Sequence, residues 1–151
     1  MQKRVFQLLV DNTSGVLSRI SGLFSRRGYN IESITAGVTA DPRFTRITIV
    51  TSGDEDILEQ IEKQVGKLVD VRDIKELDPE DSVYRELVLV KVKVDPKKRL
   101  ETRQGVECVA NSVRAKIIDV GAENLIVEFT GNHSKVNALI QRFTEEYEVL
   151  E

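Results

Sequence analysis

The residues best suited to bind a small charged molecule lie in one segment, residues 11–30. It starts with Asp11-Asn12-Thr13-Ser14, four residues that can cap a helix, and Gly15 follows them. An amphipathic run comes next and ends at Gly28, a typical helix C-cap. Because a helix start exposes backbone N–H groups and the positive end of the helix dipole, it suits a carboxylate. The alternative is a plain strand-to-helix turn with a good cap.

The same segment carries groups that could bind the rest of an amino acid. Asn12 and Asn30 offer amide carbonyls to an ammonium group, and Val16, Leu17 and Ile31 are apolar and could line a pocket. Asn30 has a second interpretation, as a left-handed residue that merely follows the helix. These five positions, with Gly15, define a candidate amino-acid site.

The composition and net charge of the chain exclude several classes of function. The 151 residues are 40% hydrophobic and 31% charged, which predicts a globular chain with a buried core. A net charge of -3 gives no field for nucleic acid or an anionic membrane. No apolar run approaches the ~20 residues that span a bilayer, and the start MQKRVFQLLVDN has no cleavage site. We therefore expect no signal peptide and a cytoplasmic location.

Catalytic and metal-binding residues are scarce. A single cysteine, Cys108, excludes internal disulfides and cysteine-based zinc sites, and we expect it to be a small buried residue of a helix at 102–114. His133, the only histidine, cannot form a histidine metal site and has no assignable nucleophile. The carboxylates follow helix faces and a linker, as on a solvated surface. Neither catalysis nor a resident metal is predicted.

The apolar periodicity of the first half predicts the order β-α-β-β-α-β, the ferredoxin-like motif. The predicted elements are a first strand covered on both faces, two helices and three further strands: Val5–Val10, Gly15–Arg27, Ile31–Val38, Arg46–Thr51, a helix with Ile57, Ile61, Val65 and Leu68 buried, and Val69–Leu77. In the usual strand order of this motif the second strand lies at an edge. With Ile34, Ala36 and Val38 on one face, that edge could pair with a second copy and bring Asn30 near the other chain's helix start.

The second half repeats this order after an acidic, proline-containing linker. Residues 78–82, Asp-Pro-Glu-Asp-Ser, are the predicted boundary between a first domain at 1–77 and a second at 83–151. Strands are predicted at 87–94, 116–120 and 125–130, with helices through about 114 and from 134, and only a stub of a last strand at 148–151. The predicted fold is α+β, with two tandem ferredoxin-like βαββαβ domains and an abbreviated last strand in the second.

Among the functions this fold supports, RNA binding requires exposed aromatic residues on the central strands. The predicted strand Arg46–Thr51 has none, and aromatic residues are only 5% of the chain. A small-ligand sensor that recruits a partner remains.

Particular segments of the chain closely resemble the small regulatory subunits of acetolactate (acetohydroxyacid) synthase. They are DNTSGVLSRISGLFSRRGYNIESITAG, the segment from Pro42 to Val50, LEQIEKQVGKLVDV, Arg85-Glu86-Leu87, KIIDV and EFTGN. The resemblance implies an ACT domain, an amino-acid-sensing module, followed by an ACT-like domain. It also implies a homodimer that binds valine at Asn12, Gly15, Val16 and Leu17 of one chain and Asn30 and Ile31 across the interface.

The same resemblance implies a separate catalytic subunit. That partner would hold thiamine diphosphate, magnesium and FAD, whereas this chain would hold no cofactor and would confer activation and valine feedback inhibition in branched-chain amino acid biosynthesis. Family members usually continue beyond the position of Glu151, which bears on the last strand and on activation. The alternative function is a stand-alone ACT sensor that controls a different enzyme.

Overall fold

The computed structural model describes residues 2–151. The chain forms two compact units, of which the first ends at Ser82 and the second begins at Val83. The division falls at the end of the predicted linker. Each unit has its own cluster of buried apolar side chains.

The first unit is a four-stranded antiparallel sheet with two helices. Its strand order is β2-β3-β1-β4, the ferredoxin-like arrangement that was predicted. The elements, in chain order, are β1 (Gln2–Asp11), α1 (Val16–Arg27), β2 (Ser33–Val38), β3 (Phe44–Gly53), α2 (Glu55–Val65) and β4 (Val71–Glu76).

Strand β1 is buried on one face only, so the prediction that both faces are covered was wrong. Phe6, Leu8 and Val10 are buried in the core with side chains of α1 and α2, whereas the alternate residues Val5 and Leu9 remain partly exposed. Apolar residues on both sides of a pleat make a continuous hydrophobic run in sequence. Such a run does not show whether a second layer covers the other face.

Strand β2 lies at the edge of this sheet, as predicted. Ile34 pairs with Ile49 and Ala36 with Ile47, so these β2 side chains lie on the same face as the buried residues of β3. Ile34 itself is exposed, and 61% of Val38 is accessible. The core side of the sheet therefore continues outward as an uncovered apolar margin.

Helix α1 buries the predicted stripe Val16, Ile20, Leu23 and Phe24. It ends at Gly28, whose φ of 69° is left-handed. Helix α2 has a side-chain cap, because Asp54 accepts a hydrogen bond of 3.0 Å from the backbone N–H of Ile57.

The stripe predicted for α2 was partly wrong. Leu58 is buried with Ile61 and Val65, whereas Ile57 is only partly buried. Leu68 packs against the core from beyond the end of the helix. A small rotation of the helix about its axis buries Leu58 in place of the adjacent Ile57, and the 3.6-residue period of the buried face is unchanged.

The second unit repeats the order with a shortened last strand, as predicted. Its elements are β5 (Glu86–Lys93), α3 (Arg99–Ser112), β6 (Lys116–Val120), β7 (Asn124–Gly131) and α4 (His133–Glu146). The sheet order is β5-β7-β6. Residues 148–151 lie along β5 through the isolated bridge Val92–Val149 and backbone hydrogen bonds of 2.8–2.9 Å at Lys91 and Lys93.

Helix α3 differs from its prediction in two ways. It starts at Arg99, three residues before the predicted start, and Cys108 is exposed rather than buried. The buried residues are Val106, Val109 and Ala110. Since one residue advances a helix by about 100°, Cys108 lies about 200° from Val106 and faces away from the core. Neighbouring valines in sequence therefore gave the wrong face for the thiol.

Candidate functional site

The N-terminus of α1 has no side-chain cap. Gly15 occupies the N-cap position with a left-handed φ of 85°, and none of the four predicted capping residues, Asp11-Asn12-Thr13-Ser14, accepts a bond from the first turn. The expectation of a side-chain cap was therefore wrong. The first helical hydrogen bond is donated by the backbone N–H of Arg19 to the carbonyl of Gly15, at 3.0 Å. The N–H groups before it remain available to an external acceptor.

Asn12 is fixed to the turn that precedes β3. Its Nδ2 donates to the carbonyl of Pro42 at 2.9 Å, its backbone N–H donates to the carbonyl of Arg43 at 2.8 Å, and its Oδ1 accepts from the hydroxyl of Thr45 at 3.1 Å. The amide oxygen predicted to meet an ammonium group thus has one donor already and a second lone pair to offer.

Two bidentate ion pairs flank the start of α1. Arg72 donates to both carboxylate oxygens of Asp11 at 2.7 and 2.6 Å, and Arg19 donates to both oxygens of Asp70 at 2.5 and 2.9 Å. The hydrogen bonds from Arg72 lower the pKa of Asp11 below its ordinary value, against a smaller opposing effect of desolvation. The hydrogen bonds to Asp70 raise the pKa of Arg19. Both carboxylates are therefore neutralised locally, which leaves the helix N-terminus attractive to an anion.

Arg19 is a site residue that the sequence prediction missed. A Cβ atom added to Gly15 would lie 2.9 Å from Nη1 of Arg19. The guanidinium therefore lies directly beside the glycine at the start of the helix. The spacing of four residues places Arg19 one turn above Gly15 on the same side of the helix, and this signal was available in the sequence.

The predicted apolar wall is only partly present in one chain. Leu17 is 48% exposed at the start of α1, as a pocket wall requires. The side chain of Val16 is buried in the core, so Val16 can contribute its backbone N–H but not its side chain. Ile31 is partly buried and packs against the core cluster.

Asn30 and Ile31 lie beyond the other end of α1. The helix has 12 residues, which corresponds to a length of about 18 Å. One chain therefore does not bring these two residues together with Asn12, Gly15 and Leu17.

The backbone of Asn30 is held by a buried hydroxyl. Thr51 is fully buried and donates to the carbonyl of Asn30 at 2.5 Å. The side chain of Asn30 is exposed. Its φ is not positive, since Arg114 is the only non-glycine residue with a positive φ in the described range 2–151. The interpretation of Asn30 as a left-handed residue was therefore wrong, and Gly28 provides that conformation instead.

Within residues 2–151, no group of three or more His, Cys, Asp or Glu side chains has the arrangement of a metal site. No helix in this range has the length and apolar character needed to cross a membrane.

Comparison with known proteins identifies each unit in turn. Residues 6–73 match the family described as the AHAS small subunit-like ACT domain, so the first unit is an ACT domain. Residues 85–151 match the family described as the small subunit of acetolactate synthase.

Relatives and a solved structure match both units together. A probable acetolactate synthase small subunit of Archaeoglobus fulgidus is 44% identical over 91% of this chain and 84% of its own length. The small subunit of acetolactate synthase isozyme 3 of Escherichia coli is 42% identical over 99% and 89%. The crystal structure of the Thermotoga maritima acetolactate synthase small subunit superimposes with a TM-score of 0.89 at 40% identity, over 100% of this chain and 91% of the other. This chain therefore belongs to the family of acetolactate synthase small subunits.

Proposed function

We propose that this chain is a regulatory subunit that binds valine between the first units of two copies and thereby controls a catalytic acetolactate synthase subunit. The observation that carries the proposal is the start of α1. Gly15 adopts a left-handed φ of 85° there, and no side chain caps the helix. Backbone N–H groups and the helix dipole face outward at a place where most helices provide their own acceptor.

Each part of valine has a matching group. The carboxylate accepts from the N–H groups of Val16 and Leu17, and the isopropyl group packs on Leu17 and on Ile31 of a second copy. The ammonium group donates to the amide oxygens of Asn12 and of the second copy's Asn30. Micromolar affinity corresponds to about 8 kcal/mol, and burial of a valine side chain supplies roughly 1.5–3 kcal/mol of it. The charged hydrogen bonds must therefore provide much of the rest.

The second copy is required because one chain separates the two halves of the site along α1. Strand β2 is the edge that can supply it, since β2 is paired on one side only, with β3. Pairing of two β2 strands would also cover the apolar margin formed by Ile34, Ala36 and Val38. A valine site at this interface favours one arrangement of the dimer over another, and that preference is what feedback inhibition needs.

The partner in this proposal is a catalytic subunit that holds thiamine diphosphate, magnesium and FAD. This chain then contributes activation and valine sensitivity but no catalytic group. The match of the second unit to acetolactate synthase small subunits supports this partner. The alternative, a stand-alone sensor for another enzyme, would explain the ACT domain of the first unit but not the family match of the second unit.

The first test is isothermal titration of the protein with valine, with leucine and isoleucine for comparison. We expect saturable valine binding that is lost in Gly15→Asp, because the new side chain occupies ligand space and meets Arg19 at a left-handed backbone position. With a catalytic subunit present, Gly15→Asp is expected to retain activation and to lose valine inhibition.

Gly28→Asp is the matched control. It introduces the same side chain at the other left-handed glycine of α1, with a φ of 69° and no atom within 4 Å of the new Cβ. We expect this variant to lose a similar amount of stability and to keep valine binding. An unchanged valine titration in Gly15→Asp, or equal loss of binding in both variants, would contradict the site.

A further inference from the structure

A second candidate site lies wholly within the second unit. A surface pocket of about 500 Å³ opens between the end of α3, strand β7 and helix α4. Its floor is formed by the buried side chains of Phe129 and Leu139, and Arg114, Lys135 and Arg142 line its sides. Its volume falls in the range of small-molecule pockets, about 300–1,000 Å³. An apolar floor with cationic sides suits an organic anion.

The three cationic side chains differ in whether they pair with other residues of the chain. Arg142 donates from Nε to Glu146 at 3.1 Å. Within residues 2–151, the side chains of Arg114 and Lys135 form no hydrogen bond or ion pair. Two cationic side chains in the lining of the pocket are therefore not paired with any residue in the described range.

The backbone of Arg114 provides an independent observation. Its φ of 61° lies in the left-handed region, where glycine or asparagine is favoured. The backbone N–H of Ala115 donates to the carbonyl of Ala110 at 2.8 Å, which is the closing bond of a Schellman helix end. Glycine would satisfy this turn without strain, so the turn does not explain why an arginine is present. The position of the Arg114 side chain in the lining of the pocket accounts for the arginine.

We propose that this pocket binds a small organic anion that carries a phosphate or carboxylate group on an apolar frame. The anionic group contacts Arg114 and Lys135, and the apolar frame lies on Phe129 and Leu139. The site is separate from the helix start of the first unit and does not depend on the proposed valine function.

The test uses phenyl phosphate as the probe, followed by NMR chemical shifts and calorimetry on the full chain. Inorganic phosphate supplies the anion alone, and benzyl alcohol supplies the ring alone. We expect phenyl phosphate to saturate with a Kd below about 1 mM and to bind at least about tenfold more tightly than either partial probe, because charge-assisted hydrogen bonds and apolar burial act together. Weak, unsaturable binding of all three compounds would overturn the proposal.

Arg114→Gly separates the ligand role from folding. The change removes the guanidinium and relieves the left-handed backbone, so we expect the midpoint of thermal unfolding to stay or rise while phenyl phosphate binding weakens about tenfold. Lys116→Gln is the control, since Lys116 is an exposed cation on β6 that does not line the pocket. Equal affinity in wild type and Arg114→Gly, or equal losses in both variants, would reject the assignment.

Discussion

At the scale of single residues, the start of α1 is shaped by charges that cancel in pairs. Asp11 is neutralised by Arg72 and Asp70 by Arg19, each through two hydrogen bonds. Arg19 also lies against Gly15. A glycine at this position therefore serves two purposes. It allows the left-handed turn, and it leaves room for the guanidinium of Arg19 and for the carboxylate of the proposed ligand.

The Asp11–Arg72 pair predicts a specific dependence of stability on pH. Because Arg72 lowers the pKa of Asp11, the pair stabilises the folded chain above the ordinary aspartate pKa, and that contribution is lost as the pH falls through the lowered pKa. Arg72→Gln should therefore unfold at lower urea than wild type at neutral pH. The difference should vanish well below the aspartate pKa of about 3.9.

Lys75→Gln is the control for this measurement, since it removes one positive charge from the same strand, β4, at an exposed position. We expect no pH-dependent difference between Lys75→Gln and wild type. Parallel curves for the two variants across the acid range would show that the pair contributes nothing specific.

At the scale of elements, the edge strand β2 and helix α1 decide whether a complete site can form. Asn30 and Ile31 lie just before the edge strand β2, and Gly15 lies at the opposite end of α1, a helix about 18 Å long. The arrangement separates the two groups of residues within a chain and allows them to meet between chains.

A lysine on the β2 margin should weaken the proposed dimer. Val38→Lys places a charge on an exposed valine of the edge strand, where pairing of two strands would have to desolvate it. We expect sedimentation velocity over a dilution series to show a dimer dissociation constant raised about tenfold or more, a cost of at least about 1.4 kcal/mol. Valine binding should fall in parallel.

Val69→Lys makes the same change at a valine that is 82% exposed and lies outside the strands. This control should sediment like wild type. A dimer that is equally strong in both variants would remove β2 from the interface.

The accuracy of the sequence predictions also differed between elements. The order of strands and helices, and with it the fold, could be predicted from the sequence. The apolar periods of 2 residues in strands and 3.6 in helices can be recognised within each segment alone. The absence of a side-chain cap on α1 and the exposure of Cys108 on α3 could not be predicted from periodicity. Four residues that can cap gave no cap, since the left-handed Gly15 turns the chain before any of their oxygens reaches the first turn. The ion pair between Arg19 and Asp70 joins residues 51 positions apart, and no local pattern indicates it.

At the scale of the whole molecule, the chain has two separate cores. One cluster contains residues of β1, α1, β3 and α2, and the other contains residues of β5, α3, β7 and α4. The proposed valine site draws only on the first unit, and the proposed anion pocket only on the second. Changes in one core should therefore affect the two ligands differently.

A matched pair of core substitutions tests this separation. Phe24→Ala in α1 and Phe143→Ala in α4 each remove a fully packed ring, at an expected cost of about 3–5 kcal/mol in the free energy of unfolding of that unit. We expect Phe24→Ala to weaken valine binding and Phe143→Ala to leave it close to wild type by calorimetry. Equal loss of valine affinity in both would show that the units act as one.

The buried hydroxyl of Thr51 has a consequence for how the first sheet assembles. A slip of β3 by one residue would turn Thr51 to the open face and leave the carbonyl of Asn30 without its donor. An unpaired carbonyl of this kind costs about 1–3 kcal/mol, and the apolar residues of β3 would leave the core at the same time. The hydroxyl of Thr51 thus favours the one register of β3 that also places Asn30 at the edge of the sheet.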